Sequence, residues 1–155
     1  MAMALLISAL PYVSDPLTLF ARLRRRPGAV LLDSGRPVAT GRYDIISSDP
    51  LATLSVDEQG RSRIESQTLT PPEDIGDAFA HQAWLLQQLD MTIPKESELP
   101  FTAGLIGYWG YDLGRETQAV GSMRPAPTQL PQARLGLYDW AITLDHVAQK
   151  RGLIA

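Results

Sequence analysis

Glycine recurs at every third position in residues 101–111, a segment that reads FTAGLIGYWGY. Gly104, Gly107 and Gly110 are separated by apolar and aromatic residues, many of which favour strands. Glycine weakens the interior of a strand, so this repetition is expected where another backbone comes close or where the strand bulges. The segment therefore predicts a strand that packs tightly against a neighbouring part of the chain.

The same segment does not have the spacing of a nucleotide-phosphate loop. It lacks the Gly-x-Gly-x-x-Gly pattern, and no Gly-Lys-Ser/Thr follows it. No serine stands in a Gly-x-Ser-x-Gly context either, so an α/β-hydrolase nucleophile is not supported.

Short apolar runs bounded by turn residues predict further strands. The links between them are short, which favours antiparallel pairing because parallel strands need long crossovers. Alternating apolar and polar residues predict a half-buried strand over 135–147, then a turn at 149–152 and another strand that we expect the chain end to cut off. The other predicted strands cover 29–32, 42–46, 51–56 and 61–66, the last two forming a hairpin.

Capping signals predict two helices. Asp15 can cap the first, with Pro16 at its first position, and Pro27-Gly28 ends it. The second is predicted to begin at a capping box over 70–73 and to run to about residue 90 or 91. Its expected apolar face comprises Ile75, Phe79, Leu86 and Leu89, and irregular loops are predicted over 94–100 and 122–131.

Composition narrows the classes of partner and compartment. The chain has 155 residues, 45% of them hydrophobic and 20% charged, which suits one globular domain. A net charge of −3 does not match nucleic acid or anionic lipid, and no apolar run is long enough to span a membrane. The absence of cysteine suits the reducing cytoplasm, and the start does not have the charged region of a signal peptide.

Titratable residues give no clear catalytic constellation. His81 and His146 have no metal-ligand spacing, so each is interpreted as a solvated or core histidine. Asp112, Arg115 and Glu116 form a cluster for which an ordinary ion pair is the favoured interpretation over an acid–base pair.

Polar side chains follow one predicted strand and begin the next. If the strands pair, Asp33, Ser34, Arg42 and Tyr43 converge at one end of the sheet. They could then hold a small zwitterion, with Asp33 on the ammonium, Arg42 on the carboxylate and Tyr43 on a ring. The alternative is turn capping by Asp33 and Ser34, and from the residues alone it is preferred.

The block over 99–116, LPFTAGLIGYWGYDLGRE, resembles the amino-terminal signature of the anthranilate synthase and aminodeoxychorismate synthase component I family. Three further segments are similar to family segments in the same order. They are LLDS at 31–34, RYDII at 42–46 with Asp49-Pro50, and GLYDW at 136–140. The Asp-Trp pair of the last segment and Gly114 are typical of the aminodeoxychorismate branch.

The resemblance implies an α+β fold, an α/β sandwich in which antiparallel sheets pack face to face with two or more outer helices. It also implies that residues 1–155 are a single amino-terminal domain, truncated before the catalytic, chorismate-binding part. The family's chorismate and Mg²⁺ sites lie mainly in that carboxyl-terminal part. We therefore expect no catalytic residue, metal ligand or cofactor in this chain, which alone should be inactive.

The resemblance further implies a pocket for an aromatic amino acid such as L-tryptophan. The matching positions are Leu32, Asp33, Ser34, Arg42 and Tyr43, with Asp33 where glutamate is common. The implied partners are a glutamine amidotransferase and the missing carboxyl-terminal domain. Two alternatives remain: the regulatory domain of an anthranilate synthase, and a free-standing module that binds an aromatic amino acid or another protein.

Overall fold

A computed structural model describes residues 5–35, 41–73, 76–89, 98–111, 113–114 and 130–155. These residues form two compact units. The first contains Met1–Pro50, Leu89–Gly104 and Tyr138–Ala155, and the second contains Leu51–Gln88 and Leu105–Leu137. The expectation of a single domain stays a prediction, and each unit is described by itself.

The described part of the chain forms two helices and nine strands. The helices are α1 (Pro16–Leu23) and α2 (Ala78–Gln87). The strands are β1 (Ile7–Leu10), β2 (Val30–Leu32), β3 (Tyr43–Ser47), β4 (Ala52–Val56), β5 (Ser62–Ser66), β6 (Gly104–Trp109), β7 (Ala133–Tyr138), β8 (Ala141–Asp145) and β9 (Lys150–Ile154). Two antiparallel sheets with helices confirm the predicted α+β class.

The first unit is built on a five-stranded sheet in the order β1-β9-β8-β3-β2. All four pairings are antiparallel. Ile46, Leu144 and Ile154 are fully buried and form part of the core of this unit. Burial of such side chains is worth about 1.5–3 kcal/mol each, so they hold the central strands in register.

Helix α1 begins where its sequence predicts and ends at Leu23, before the predicted stop at Pro27-Gly28. The Asp15 carboxylate accepts the Leu17 N–H at 2.9 Å, and Pro16 follows it as the first helical residue. Beyond the helix, Gly28 has a φ of +58°, and a Cβ there would lie 2.6 Å from the Cδ of Pro50. Glycine is therefore required at this position, five residues beyond the end of the helix.

The second unit contains a four-stranded sheet in the order β5-β4-β7-β6. The predicted hairpin is confirmed, because β4 pairs antiparallel with β5 from Ala52↔Ser66 to Val56↔Ser62. Strand β4 alternates between buried and half-buried residues, the pattern of a strand with one face in a core. Its buried Val56 forms a cluster with Ala78, Leu113 and Ala133.

The glycine repetition has the tight packing that it predicts, over the shorter strand β6. A Cβ on Gly107 would collide with the carbonyl of Arg134 and would lie 2.8 Å from the Cα of Leu135. Gly110 donates its N–H to the carbonyl of Gln132 at 2.5 Å. At Gly107 the backbone of β7 occupies the space that a side chain needs.

The predicted start and face of the second helix were wrong. The residues over 70–73 are not helical, and Asp77 caps α2 by accepting the N–H groups of Phe79 and Ala80. Ala78 and Leu85 are the buried residues, whereas Phe79 and Leu86 are 46% and 47% exposed. The apolar residues of this helix lie on all of its sides, so their periodicity does not single out one face. Ile75 lies outside the described residues.

The strand predicted over 135–147 is two strands in different sheets. Strand β7 belongs to the four-stranded sheet and β8 to the five-stranded sheet, with Asp139 and Trp140 between them. The turn covers 146–149, not 149–152. The last strand, β9, pairs with β8 on one edge and with β1 on the other. Strands β3 and β4 likewise belong to different sheets. Consecutive strands pair only as β2–β3, β4–β5 and β8–β9 among the described strands.

Strand β1, at one edge of the first sheet, was not predicted. Asp112, Arg115, Glu116 and most of the two predicted loops lie outside the described residues. Neither described helix is long and apolar enough to cross a membrane.

Candidate functional site

A cavity of about 600 Å³ lies on one side of the five-stranded sheet, within the first unit. Its apolar lining is Ile7, Ala9, Leu10, Leu99, Pro100 and Ile154. Its polar lining includes Arg42, Tyr43, Glu98, Thr143, Asp145 and Lys150. A cavity of this size with a few polar groups in an apolar lining is typical of sites for small molecules.

The register of the sheet explains which side chains meet there. Tyr43 lies opposite Asp145, and Thr143 lies opposite Gly152. Residues directly opposite each other in antiparallel strands share a face of the sheet. Gly152 adds no side chain to this face. The space beside it is open, because a Cβ there would lie 3.8 Å from the Ser8 carbonyl oxygen and 3.9 Å from the Thr143 hydroxyl. The sheet therefore leaves room beside Tyr43 and Asp145.

An ion pair between Arg42 and Asp145 forms the charged wall of the cavity. Nε of Arg42 lies 3.2 Å from both oxygens of Asp145, and Nη2 lies 2.8 Å from Oδ2. The guanidinium also lies over the ring of Tyr43, 4.6 Å from its centroid. The hydrogen bond from Arg42 is the main reason that the pKa of Asp145 falls to about 2. The same bond raises the pKa of Arg42.

Both members of this pair are held in place, and part of the guanidinium is left open. Asp145 accepts the N–H groups of Val147 and Ala148 at 3.0 Å, which fixes the carboxylate at the start of the turn. Arg42 is held on one edge by Asp145 and on one face by Tyr43. Within the described ranges no acceptor bonds to Nη1 of Arg42, whose side chain is 45% exposed. This edge can take another carboxylate.

A second acid–base pair lies on the opposite, buried face of the five-stranded sheet. It joins Asp44 of β3 to His146, the residue after β8. Nε2 of His146 lies 2.6 Å from Oδ2 of Asp44, and their side chains are 6% and 0% exposed. Asp44 Oδ1 also accepts the backbone N–H and the hydroxyl of Ser34, at 2.9 and 2.8 Å. The hydroxyl of Tyr12 lies 2.9 Å from Nδ1 of His146.

The Asp44 carboxylate fixes one donor of this buried network. A carboxylate only accepts, so Nε2 of His146 carries a proton and donates to Asp44. In the neutral imidazole Nδ1 then accepts from Tyr12. Burial acts to raise the pKa of Asp44, but the hydrogen bonds from Ser34 and His146 outweigh it and hold the pKa below its ordinary value. The network joins residues from three distant parts of the chain.

The structure brings together only part of the predicted site. Arg42 and Tyr43 line the cavity. Ser34 bonds to Asp44, and Asp33 accepts the N–H of Gly35 at 2.7 Å, as a turn-capping residue does. Leu32 is 43% exposed, and neither it nor Asp33 lines the cavity. Tryptophan binding by the five residues stays a prediction.

Sequence reasoning missed the two carboxylates that organise this region, Asp44 and Asp145. His146, interpreted as a solvated or core histidine, is a core histidine with a carboxylate partner. The adjacent Asp145-His146 pair after an alternating strand was the available signal, because consecutive residues there face opposite sides. His81 bonds to Ser62 and to the carbonyl of Asp77. The described residues contain no cluster of three or more His, Cys, Asp or Glu suited to a metal ion.

Comparison with known proteins gives relatives for nearly the whole chain, although no family model matches it. Aminodeoxychorismate synthase component 1 of Salmonella typhimurium is 34% identical over 137 residues, which is 88% of this chain and 30% of that protein. The Escherichia coli protein of the same name is 33% identical, over 82% of this chain and 28% of its own length. The Klebsiella aerogenes protein of that name is 33% identical over 88% and 30%.

A solved structure has the same fold. Anthranilate synthase component I from Streptococcus pneumoniae TIGR4 superposes with a TM-score of 0.56, covering 93% of this chain and 30% of that one. At 19% identity this likeness shows the fold alone. The chain spans about 30% of the length of the curated relatives it matches.

Proposed function

The chain belongs to the family of aminodeoxychorismate synthase component 1, and from this membership we propose that it is the amino-terminal, non-catalytic part of such a synthase. The whole enzyme adds ammonia from glutamine to chorismate and forms 4-amino-4-deoxychorismate, a precursor of para-aminobenzoate and folate. The observation that carries the proposal is the 34% identity over 137 residues to a protein of that name.

The placement of the family-like segments supports this proposal. The glycine-rich block contributes β6, in which Gly107 permits the close contact with β7. The Asp139-Trp140 pair stands where the chain passes from one sheet to the other, and the Trp140 carbonyl accepts the Ser47 hydroxyl at 2.8 Å. These residues therefore serve the fold, which suits a part of the enzyme that supports chemistry performed elsewhere.

The proposed division of labour assigns chorismate and Mg²⁺ to the rest of the enzyme. The residues that the structure describes do not fit a Mg²⁺ site, because they contain no suitable acidic cluster. We assign no step of the reaction to them. The proposed partners are the catalytic part and a glutamine amidotransferase, and the proposed compartment is the cytoplasm.

A chimera tests the proposal directly. This chain replaces the matching 137 residues of the Salmonella relative, and the product formed from chorismate and glutamine with the amidotransferase is identified by mass. We expect 4-amino-4-deoxychorismate. Because the catalytic part decides the product, activity only when the chain is joined to the matching part of an anthranilate synthase supports the anthranilate alternative. A folded chimera without product, beside an active parent enzyme, contradicts the proposal.

The isolated chain provides the complementary test. With chorismate, ammonia and Mg²⁺ it should give no turnover, because the chemistry belongs to the remainder of the enzyme. Measurable turnover that rises with the concentration of the chain overturns the division of labour.

A second function, binding of an aromatic amino acid such as L-tryptophan, is favoured by the cavity. Its volume of about 600 Å³ suits a ligand of this size, and its charged wall presents an open edge of Arg42 beside the Tyr43 ring. A carboxylate on Arg42 and an aromatic ring against the apolar lining use both features. The part of the predicted site with a clear geometric basis is therefore Arg42 and Tyr43.

Isothermal titration of L-tryptophan into the chain tests this function. We expect saturable binding that Arg42→Gln abolishes. Asp33→Ala is the matched variant outside the cavity: unchanged affinity assigns the site to the cavity, and lost affinity assigns it to the LLDS segment. No heat at millimolar ligand, with the chain folded by circular dichroism, rejects amino-acid binding.

A further inference from the structure

The four-stranded sheet of the second unit has two edge strands of opposite character. Its order is β5-β4-β7-β6, so β5 and β6 each have one edge with which no described strand pairs. Strand β5 reads SRIES, and its exposed Arg63 and Glu65 form an ion pair at 3.4 Å. Strand β6 reads GLIGYW and carries no charge. Charged side chains keep the open edge of a sheet from pairing with other segments, so β5 is protected and β6 is not.

The edges of the five-stranded sheet are protected in another way, by the length of their strands. Strands β1 and β2 have four and three residues, whereas β6 has six. A very short edge strand offers few N–H and C=O groups to a partner. Among the described edge strands, β6 is therefore the one that combines length with the absence of charge.

The exposed part of β6 is its carboxyl-terminal half. Ile106 is 6% exposed, but Tyr108 and Trp109 are 42% and 49% exposed, and Tyr111, just beyond the strand, is 91% exposed. Three of the four exposed aromatic side chains in the described part of the chain thus lie within four residues, the fourth being Phe79. Tyrosine and tryptophan are enriched at the centres of protein interfaces, so this cluster is typical of a surface that another segment covers.

The inner edge of β6 is held in place, which leaves its outer edge preformed. Gly110 donates its N–H to the carbonyl of Gln132 at 2.5 Å, and the Tyr108 hydroxyl donates to the carbonyl of Pro131 at 3.2 Å. At Gly107 the backbone of β7 lies so close that it leaves no room for a side chain. A fixed edge binds an added strand without the cost of ordering itself first.

The occupant of this edge has to be present whenever the enzyme is, because an uncovered edge with exposed aromatic side chains promotes aggregation. The chain matches only 28–30% of the length of its curated relatives, so more than two thirds of each relative lies outside the match. A part of the same polypeptide meets the requirement best, since its linkage keeps it near the edge at a high effective concentration.

We propose that the outer edge of β6 is the surface on which the catalytic part of the enzyme docks, by adding a strand that continues the four-stranded sheet. The inference rests on the proposed function and names the place where the two parts of the synthase meet. Backbone hydrogen bonds hold the added strand, and its side chains cover the rings of Tyr108 and Trp109.

Hydrogen exchange followed by mass spectrometry tests the proposal on the 155-residue chain and on its chimera with the Salmonella relative. In the isolated chain, the amides of β6 that point away from β7 should exchange rapidly. In the chimera they should exchange at least about ten-fold more slowly, because the added strand accepts their hydrogen bonds. The matched control is β5, at the opposite edge of the same sheet, whose exchange should not change.

The outcomes separate this inference from the proposed function. An active chimera whose β6 amides exchange as fast as in the isolated chain overturns the inference and leaves the proposed function standing. Equal slowing in β5 and β6 reports a general gain in stability and also overturns it. Protection that appears only in the isolated chain and rises with its concentration assigns the edge to a second copy instead. A folded but inactive chimera contradicts the proposed function, and the inference falls with it.

Self-association of the isolated chain keeps the proposal falsifiable if the chimera does not fold. With its edge uncovered, the chain should dimerise as its concentration rises, as measured by sedimentation velocity. Trp109→Lys places a charge on the open edge and should weaken this association at least about ten-fold. Phe79→Lys, at a similarly exposed aromatic position on α2, should leave it unchanged. A chain that stays monomeric at every concentration, or that associates equally in both variants, contradicts the proposal.

Discussion

Two acid–base pairs on the two faces of one strand end differ in nearly everything except their distance. Arg42 and Asp145 meet at 2.8 Å on the cavity side, with side chains 45% and 16% exposed. Asp44 and His146 meet at 2.6 Å on the other face and are almost fully buried. Asp145 and His146 are consecutive residues that face opposite sides, so the end of β8 supplies one member of each pair.

The difference teaches what each pair can do. An exposed ion pair contributes little to stability, because water and salt screen it, but its groups stay accessible to a ligand. A buried pair contributes through satisfied hydrogen bonds, and removal of one member leaves the others unsatisfied. We therefore assign the fold of this region to Asp44 and His146, and the proposed ligand binding to the open edge of Arg42.

The largest expected effect comes from Asp44→Ala. It leaves the Ser34 N–H and the His146 Nε2–H without their acceptor in a buried place, which should lower the free energy of unfolding by about 3–5 kcal/mol. Urea denaturation followed by tryptophan fluorescence measures it. Asp33→Ala, which removes only a turn cap, is the matched control and should cost about 1 kcal/mol or less. Equal losses in the two variants refute the assignment.

Acidification should have the next-largest effect and should involve both pairs. The pKa values of Asp44 and Asp145 are lowered in the folded state, so the unfolded chain binds more protons on acidification. The stability they contribute is present above the ordinary pKa of about 3.9 and is lost as pH falls through the folded values. For Asp145 the window closes near pH 2.

Denaturation of the native chain and of Asp145→Asn at several pH values below 5 separates the two contributions. The variant should lose stability less steeply between about pH 4 and pH 2. Of the two carboxylates Asp44 and Asp145, it keeps only Asp44. An identical slope in the two proteins indicates that Asp145 is not paired in the folded chain.

Tyr12→Phe should have a smaller effect than Asp44→Ala. It removes one hydroxyl from Nδ1 of His146 and keeps the ring, so we expect a loss of about 1 kcal/mol in the free energy of unfolding. The Tyr43→Phe variant is the control, since the Tyr43 hydroxyl has no described role in the buried network. A loss in Tyr12→Phe no larger than in this control places Tyr12 outside the network.

The smallest expected effect is that of salt on the exposed pair. At 1 M NaCl the screening length is about 3 Å, so the stability difference between the native chain and Asp145→Asn should shrink. The difference between the native chain and Asp44→Ala should remain, because buried groups are screened much less. Denaturation midpoints at 0.05 and 1 M NaCl measure both, and a salt-insensitive effect of Asp145→Asn contradicts the comparison.

Local signals in the sequence predicted local structure well. The Asp15 cap and the β4–β5 hairpin depend on residues a few positions apart, and both are confirmed. The glycine repetition also predicted the close contact at Gly107, because the need for space at a residue is visible in its type. The family block over 99–116 identified the relatives.

Features that depend on distant partners could not be predicted. Arg42 and Asp145 are 103 positions apart, so no local pattern shows that they meet. The passage between sheets at Asp139-Trp140 interrupts an alternation that looks continuous in sequence. The start of α2 was placed at a good capping box over 70–73, but Asp77 caps the helix instead. Local capping strength does not decide between two such sites, since tertiary packing contributes more.

Urea denaturation with and without L-tryptophan tests the division between the two pairs most directly. A ligand raises the free energy of unfolding of a protein that binds it by RT ln(1 + [L]/Kd). Without ligand, Tyr12→Phe should be less stable than the native chain, but L-tryptophan should raise its free energy of unfolding by the same increment. Arg42→Gln should have a stability without ligand close to that of the native chain and should lose the increment, because it removes the guanidinium proposed to bind the ligand carboxylate. The reverse pattern, with the increment lost in Tyr12→Phe and kept in Arg42→Gln, contradicts the account.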